Sequence, residues 1–155
     1  MMRGEANIGI PMIKELRRAY GFDEVAIVPG EVTINPTMAS TNLTIGDYVF
    51  DIPVVASAMD AVGSPTFAAL MSQAGGLGIL NLEGIYTRRK DPYSALEEIA
   101  AAPPEEATSL LQRIYSEPIE EELVGKCTEQ VKKSGAVCAV SVTPQNTKRL
   151  APLAV

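Results

Sequence analysis

Two short, uninterrupted apolar segments with one helical pattern between them constrain the fold more than any other feature. Residues 52–56 (Ile-Pro-Val-Val-Ala) form the first segment and residues 77–80 (Leu-Gly-Ile-Leu) the second. Between them, Ser64-Pro65 is typical of a helix start and Gly75-Gly76 of a helix end. Uninterrupted apolar strands are typical of parallel sheets that are buried on both faces. The order strand, helix, strand therefore predicts a βαβ unit.

The rest of the chain continues this alternation. Residues 85–134 form a helical insert with three predicted helices. Each begins at or just after a proline: Pro92, Pro104 and Pro118. Residues 136–142 predict a third buried strand. Thr143-Pro144 is expected to cap a last helix that is still running at Val155.

Residues 1–50 predict an irregular leader with short strands, which precedes the α/β part at 51–155. Residues 25–28 are apolar and stop at Pro29-Gly30, a turn signal, which predicts a short strand. Residues 43–45 and 48–50 flank Gly46-Asp47, which predicts a hairpin.

Three parallel strands with helices leave sheet edges that a closed barrel would cover. A complete (β/α)8 barrel takes ~250 residues. We therefore expect an α/β chain that covers the leader and about the first three βα units of a TM (β/α)8 barrel in a longer protein. A small open α/β domain is the alternative.

Composition excludes several classes of function. The net charge of −6 argues against a nucleic-acid surface, which needs a basic stripe. The absence of histidine excludes His-based catalytic triads and zinc sites within the chain, and no metal site is expected. Two cysteines are too few for a disulfide framework, and no apolar run is long enough to cross a bilayer, so a cytoplasmic protein is expected.

Polar side chains follow both predicted strands of the βαβ unit. Ser57, Met59 and Asp60 follow the first strand, and Asn81 and Glu83 follow the second. Ligands bind at the carboxyl ends of parallel strands, so Ser57, Met59 and Asp60 are candidates to hold a purine nucleotide, with Met59 against the base. Asn81 is a candidate for a further ligand contact. The structural alternatives are a capped turn with Met59 in the core, and a turn that Asn81 stabilises.

Two other motifs point to structure rather than chemistry. Residues 75–78 (Gly-Gly-Leu-Gly) end a helix and enter a strand, whereas a dinucleotide-binding fingerprint follows a strand and opens a helix. Cys138 lies in a predicted buried strand and Cys127 on an apolar helix face. Both thiols are expected to be inert core residues.

Three segments resemble one protein family in the order in which that family carries them. They are residues 20–29 (Tyr-Gly-Phe-Asp-Glu-Val-Ala-Ile-Val-Pro), 52–60 (Ile-Pro-Val-Val-Ala-Ser-Ala-Met-Asp) and 75–80 (Gly-Gly-Leu-Gly-Ile-Leu). They resemble the opening segment and the first two barrel strands of IMP dehydrogenases and GMP reductases. The exit Asn81-Leu-Glu-Gly84 departs from the family's usual pattern and resembles its IMP dehydrogenase-related branch. The gap of about 50 residues before Gly135 resembles members without the regulatory cystathionine-β-synthase domains.

The resemblance implies NAD-dependent oxidation of inosine 5'-monophosphate (IMP) to xanthosine 5'-monophosphate in guanine nucleotide synthesis. It implies that Ser57 and Met59 contact the nucleotide, and we add Asn81 as a third substrate-binding candidate. The family's catalytic cysteine lies on a glycine-rich loop late in the barrel, so no catalytic residue is expected within this segment. The resemblance also implies a homo-oligomer, tetramer or octamer, and a monovalent cation such as potassium.

Two alternatives stay open. GMP reductase runs a related reaction in the opposite direction with NADPH. A non-catalytic relative would serve as an interaction subunit.

Overall fold

The computed structural model describes residues 17–155. Residues 1–16, part of the predicted leader, lie outside this range. The chain divides into two units, Met1–Ala39 and Ser40–Val155. The described part of the first unit contains two 3-10 turns, Phe22–Glu24 and Pro36–Met38. The predicted strand at residues 25–28 is wrong: these residues form no strand, because no described segment pairs with their backbone groups.

The predicted hairpin is confirmed and opens the second unit. Strand β1 (Leu43–Ile45) pairs antiparallel with β2 (Tyr48–Phe50). Gly46 takes a φ of +58°, the left-handed conformation that glycine adopts at little cost. The Thr41 hydroxyl donates to the Asp51 carbonyl at 2.7 Å, which ties the chain on either side of the hairpin together.

The predicted βαβ unit is confirmed. Strand β3 (Val55–Ala56), helix α1 (Pro65–Gln73) and strand β4 (Leu77–Asn81) follow in order, and β3 and β4 are parallel. Strand β5 (Ala139–Ser141) adds to the other side of β4, also in parallel. The sheet order β3-β4-β5 therefore places β4 at the centre.

The first and third strands are shorter than residues 52–56 and 136–142 predict, and burial of β3 on both faces is wrong. Val55 is 42% exposed. Within the described chain β3 pairs only with β4, so one of its edges and much of its surface face solvent. Ahead of β3, the Ile52 N–H still donates to Gly75 O at 3.1 Å.

The three helices of the insert are confirmed. A 3-10 turn at Ile85–Thr87 leads into α2 (Pro92–Ala101), α3 (Pro104–Ser116) and α4 (Glu121–Lys133). The predicted start of the third helix at Pro118 is three residues early. Glu117 precedes a proline and is extended, and the Glu120 N–H donates to Thr87 O at 2.8 Å. These contacts keep residues 117–120 out of the helix, which begins at Glu121.

The predicted cap of the last helix is wrong. Helix α5 (Thr147–Leu150) follows Asn146, and a 3-10 turn (Ala151–Leu153) replaces the predicted run to Val155. Pro152 has no N–H for a further α-helical bond, which explains the change. Thr143 instead gives its backbone N–H and its hydroxyl to the Glu83 carboxylate.

The core is built around β4. Helix α1 approaches this strand so closely that a Cβ on Gly78 would lie 2.6 Å from the Ala68 Cα. Helix α4 packs beside α1, and one buried cluster joins these elements: Ala68, Leu80, Val131 and Ala136. A second cluster joins the insert to the turn after β4: Ile85, Ala95, Leu110 and Ile114. Among the residues described, no helix has both the length and the apolar composition needed to cross a membrane.

Candidate functional site

The carboxyl ends of the three parallel strands meet at one edge, which we call the rim (residues 57–60, 81–84 and 141–143). Ala56 lies beside Gly78, and Asn81 beside Ser141. The segment after β3 and the segment after β4 therefore emerge side by side. The structure confirms this arrangement, on which the nucleotide hypothesis depends.

A cavity of about 380 Å³ opens at this rim. Residues 58–61 and Asn81 line it from the rim, and Leu96, Ile99, Leu111 and Tyr115 line it from the insert. Its volume is within the range of ligand-binding clefts, and its walls combine apolar surface with a few polar groups. The insert is therefore part of the site.

Two of the three predicted site residues line this cavity. Met59 is 58% exposed, so the alternative that places it in the core is wrong. Asn81 also lines the cavity, and its side-chain oxygen accepts from the Glu83 N–H at 3.0 Å, the turn-stabilising contact of the structural alternative. Ser57 lies exposed on the same loop, next to the lining residues, and its carbonyl accepts from the Met59 N–H at 2.8 Å.

Asp60 anchors the loop that carries Met59. Asp60 is only 7% exposed, and its Oδ2 accepts from the Ile85 N–H at 2.9 Å and from the Tyr115 hydroxyl. A buried carboxylate is costly unless it is hydrogen-bonded, so these two donors are what make the position tolerable. Asp60 thereby joins the loop after β3, the turn after β4 and helix α3.

The second oxygen of Asp60 explains a glycine. Oδ1 has no hydrogen-bond partner among the described groups, and it faces the backbone of Gly84. A Cβ on Gly84 would lie 1.9 Å from it, well inside contact distance. Any side chain at residue 84 would displace the carboxylate.

Tyr115 is fixed from its other side by Arg88. The guanidinium carbon of Arg88 lies 5.8 Å from the centre of the Tyr115 ring, in cation–π range. Arg88 also donates to the carbonyls of Glu83, at 3.0 Å, and Glu117. Burial and the hydrogen bond to Asp60 raise the pKa of Tyr115, so the hydroxyl stays a donor at physiological pH.

Glu83 joins the exits of β4 and β5. Its carboxylate accepts from the Thr143 N–H at 2.5 Å, from the Thr143 hydroxyl at 3.0 Å and from the Asn146 amide. Desolvation acts to raise the pKa of Glu83, but the hydrogen bonds from Thr143 and Asn146 outweigh it and hold the pKa below its usual value. The ionised Glu83 carboxylate thus holds the segment after β4 to the segment after β5.

The cysteines do not supply a nucleophile. Cys127 and Cys138 are both partly buried, and both pack against the cluster around Leu80. Burial raises the pKa of each thiol, which disfavours the reactive thiolate.

The glycine segment does not fit a dinucleotide. Gly75 has a φ of +85° just beyond the end of α1, and residues 77–81 form β4. Within residues 17–155 these glycines lead into a strand and not into a helix, so they lack the helix N-terminus that binds pyrophosphate in the fingerprint.

Sequence patterns missed Tyr115, Arg88 and Gly84 as site residues. In the sequence, Tyr115 occupies an apolar position on a predicted helix face, which indicates a core residue. Arg88 has the pattern of an ordinary charged surface residue. Of these three, only Gly84 could have been suspected from the sequence. A glycine directly after a strand can mark a place where another group approaches the backbone closely.

Comparisons with known proteins give a family model, a sequence relative and a solved structure that each match nearly the whole chain. A family model described as the IMP dehydrogenase / GMP reductase domain matches residues 19–154. An uncharacterized oxidoreductase of Mycobacterium tuberculosis is 39% identical over 153 residues, which are 96% of this chain and 41% of the relative. A crystal structure of an IMP dehydrogenase/GMP reductase-like protein from Corynebacterium glutamicum has a TM-score of 0.82 at 36% identity, over 95% of this chain and 40% of that one.

A shorter match is to an enzyme of known name. The inosine-5'-monophosphate dehydrogenase of Korarchaeum cryptofilum is 35% identical over 63 residues, which are 41% of this chain and 13% of that protein. The chain spans about two fifths of the length of the relatives that match nearly all of it. With its parallel strand ends, its rim cavity and these matches, the chain belongs to the IMP dehydrogenase/GMP reductase family, a TIM-barrel family of oxidoreductases.

Proposed function

We propose that the intact protein carrying this chain oxidises IMP to xanthosine 5'-monophosphate with NAD, and that the rim described here binds the nucleotide. One observation carries the proposal: Met59, in the loop after β3, and Asn81, at the end of the adjacent parallel strand β4, line one cavity at the carboxyl edge of the sheet. Barrel enzymes bind their substrates at this edge.

The rim offers the groups that a purine nucleotide needs. The exposed Met59 thioether is apolar and polarisable, so it suits the flat face of a base. The Asn81 amide can still donate two hydrogen bonds, since only its oxygen is engaged with the Glu83 N–H. Ser57 adds an exposed hydroxyl on the same loop for a polar group of the ligand.

The residues of this chain bind and orient the nucleotide, and they supply no group for the chemical step. NAD, when bound, accepts the hydride from the purine. The glycine segment does not fit NAD, and neither cysteine fits the nucleophile, so we assign no reaction step to them. We further propose a cytoplasmic enzyme, in keeping with two unpaired cysteines, and a homo-oligomer of the tetramer or octamer type.

An activity assay of the intact protein tests this proposal. We expect IMP with NAD to yield NADH, whereas GMP with NADPH should give no turnover. NADPH consumption with GMP, and no NADH from IMP, would instead identify a GMP reductase that uses the same rim. A folded protein inactive with both pairs would support the non-catalytic alternative.

A further inference from the structure

The loop that carries Met59 is held by a helix that lies far away in the sequence. Asp60 follows Met59 directly, and its Oδ2 accepts from the hydroxyl of Tyr115, which lies 55 residues later on α3. The Ile85 N–H donates to the same oxygen at 2.9 Å. The hydrogen bond from Tyr115 is the part of this anchor that comes from the insert.

Tyr115 is itself held in place. Arg88 covers its ring at 5.8 Å and donates to the carbonyls of Glu83 and Glu117, so the ring is fixed between the turn after β4 and the end of α3. Helix α3 is packed onto that turn through Ile114, which is fully buried with Ile85. The hydroxyl therefore sits on a rigid support.

The same part of the insert lines the cavity. Leu111 and Tyr115 on α3, with Leu96 and Ile99 on α2, meet residues 58–61 around the cavity of about 380 Å³. A shift of α3 would change both the wall of the cavity and the anchor of the loop.

We infer that Tyr115 is a positioning residue for nucleotide binding: through Asp60, helix α3 of the insert sets where Met59 meets the purine. The inference rests on the proposed function, since it names how that nucleotide site is held. Tyr115 acts through Asp60 and need not touch the nucleotide itself.

The test compares Tyr115→Phe with wild type in the intact protein. Phenylalanine keeps the ring under Arg88 and removes only the hydroxyl. The N–H groups of Met59, Val62 and Gly63 are hydrogen-bonded within the loop, so their amide hydrogen exchange reports on its stability. We expect exchange in residues 57–63 to become about fivefold faster or more, the effect of losing one hydrogen bond to a charged group. We expect the Kd and the KM for IMP to rise by a similar factor, with the KM for NAD unchanged.

Tyr93→Phe is the matched control. Tyr93 lies on the neighbouring helix α2, is mostly exposed, and touches the Tyr86 ring edge-on with centroids 6.2 Å apart. Loss of its hydroxyl should change neither the exchange of residues 57–63 nor the affinity for IMP.

A double-mutant cycle with Asp60→Asn tests the route through Asp60 independently of the exchange data. The effect of Tyr115→Phe on IMP affinity should be smaller in the Asp60→Asn background, because the hydrogen-bond acceptor is no longer charged. Full additivity would contradict a route through Asp60.

The outcomes separate the two claims. Unchanged exchange of residues 57–63 in Tyr115→Phe overturns the inference, whatever the protein binds. Faster exchange with unchanged IMP affinity also overturns it, since the bond would then be structural only. Wild-type protein that binds neither IMP nor GMP in calorimetry overturns the proposed function, while the exchange data still decide whether Tyr115 holds the loop.

Discussion

At the scale of single residues, Asp60 organises the candidate site. It is buried beside Met59, it takes hydrogen bonds from the turn after β4 and from α3, and it leaves no room for a side chain at residue 84. A charged group in this position stabilises the fold only while its donors stay in place. The geometry of the Met59 loop therefore depends on contacts made by a few side chains.

Gly84→Ala should destabilise the protein. The added Cβ would lie 1.9 Å from the Asp60 Oδ1, so the carboxylate must move away from its donors. We expect a cost of about 1–3 kcal/mol, seen as a lower melting temperature in calorimetry. Gly125→Ala is the control, because a Cβ within α4 meets nothing within 4 Å and should stabilise the protein by about 0.5–1 kcal/mol. Equal melting temperatures for the two variants would contradict the packing argument.

Met59→Ala should weaken nucleotide binding. If the thioether covers the purine face, its loss should raise the Kd for IMP about fivefold to tenfold, which corresponds to the burial of a small apolar surface. Calorimetric titration of the intact protein measures this. Leu70→Ala, a truncation at an exposed site on α1, should leave the Kd unchanged.

Ser57→Ala should also weaken the binding of IMP, measured by the same titration. An unchanged affinity would mean that the loop after β3 has a structural role only.

The sequence indicated some of these residues and not others. Ser57, Met59 and Asn81 follow predicted strands, so their place at the rim could be inferred from local pattern alone. The bond between Tyr115 and Asp60 spans 55 residues, and local pattern contains no information on which distant side chain completes a buried carboxylate. For the same reason the contact of Glu83 with Thr143 could not be foreseen.

At the scale of elements, the exits of β4 and β5 are held together by Glu83. The hydrogen bonds from Thr143 and Asn146 link a strand exit to the segment that leads into α5. They also replace the N-cap that the sequence predicts at Thr143. A competing carboxylate from 60 residues away is the physical reason that this helix begins later.

Glu83→Gln should make stability less sensitive to acid. The pKa of Glu83 is lower in the folded protein than its ordinary value of 4.5. Its carboxylate therefore contributes stability that is fully present above pH 4.5 and is lost as the pH falls through the folded pKa. We expect the variant to be less stable than wild type at neutral pH by about 1 kcal/mol, since the group is partly exposed. The gap in melting temperature should close as the pH drops below 4.5. Glu97→Gln on the exposed face of α2 is the control. A difference in melting temperature that stays constant with pH would contradict a stabilising role of the ionised Glu83 carboxylate.

Ser64→Ala should loosen helix α1. The Ser64 hydroxyl oxygen accepts from the Phe67 N–H at 2.9 Å, and loss of such a cap costs about 1 kcal/mol. Ser64→Asp keeps an acceptor and should restore the melting temperature. Identical losses in both variants would show that the cap is not what matters.

The elements themselves followed the sequence closely where the signals were local. The βαβ unit, the hairpin and the three helices of the insert each carry a cap, a turn residue or a periodic apolar face. The errors fall where tertiary contacts decide. Residues 25–28 have the composition of a strand but no described partner, and residues 118–120 are held extended by the backbone of Thr87.

At the scale of the whole molecule, the described α/β chain carries its candidate ligand site at the carboxyl edge of the parallel sheet. Helices α1 and α4 pack together with the central strand β4, while residues of α2 and α3 line one side of the rim cavity. The TM-score of 0.82 to an IMP dehydrogenase/GMP reductase-like protein shows that the two chains share this backbone arrangement.

A crystal structure of the intact protein with IMP tests the central claim most directly. We predict that the purine lies against the Met59 thioether in van der Waals contact, with the Asn81 amide within hydrogen-bond distance of the nucleotide. Nucleotide bound at the amino ends of β3 and β4, or anywhere away from residues 57–60 and Asn81, would contradict the account.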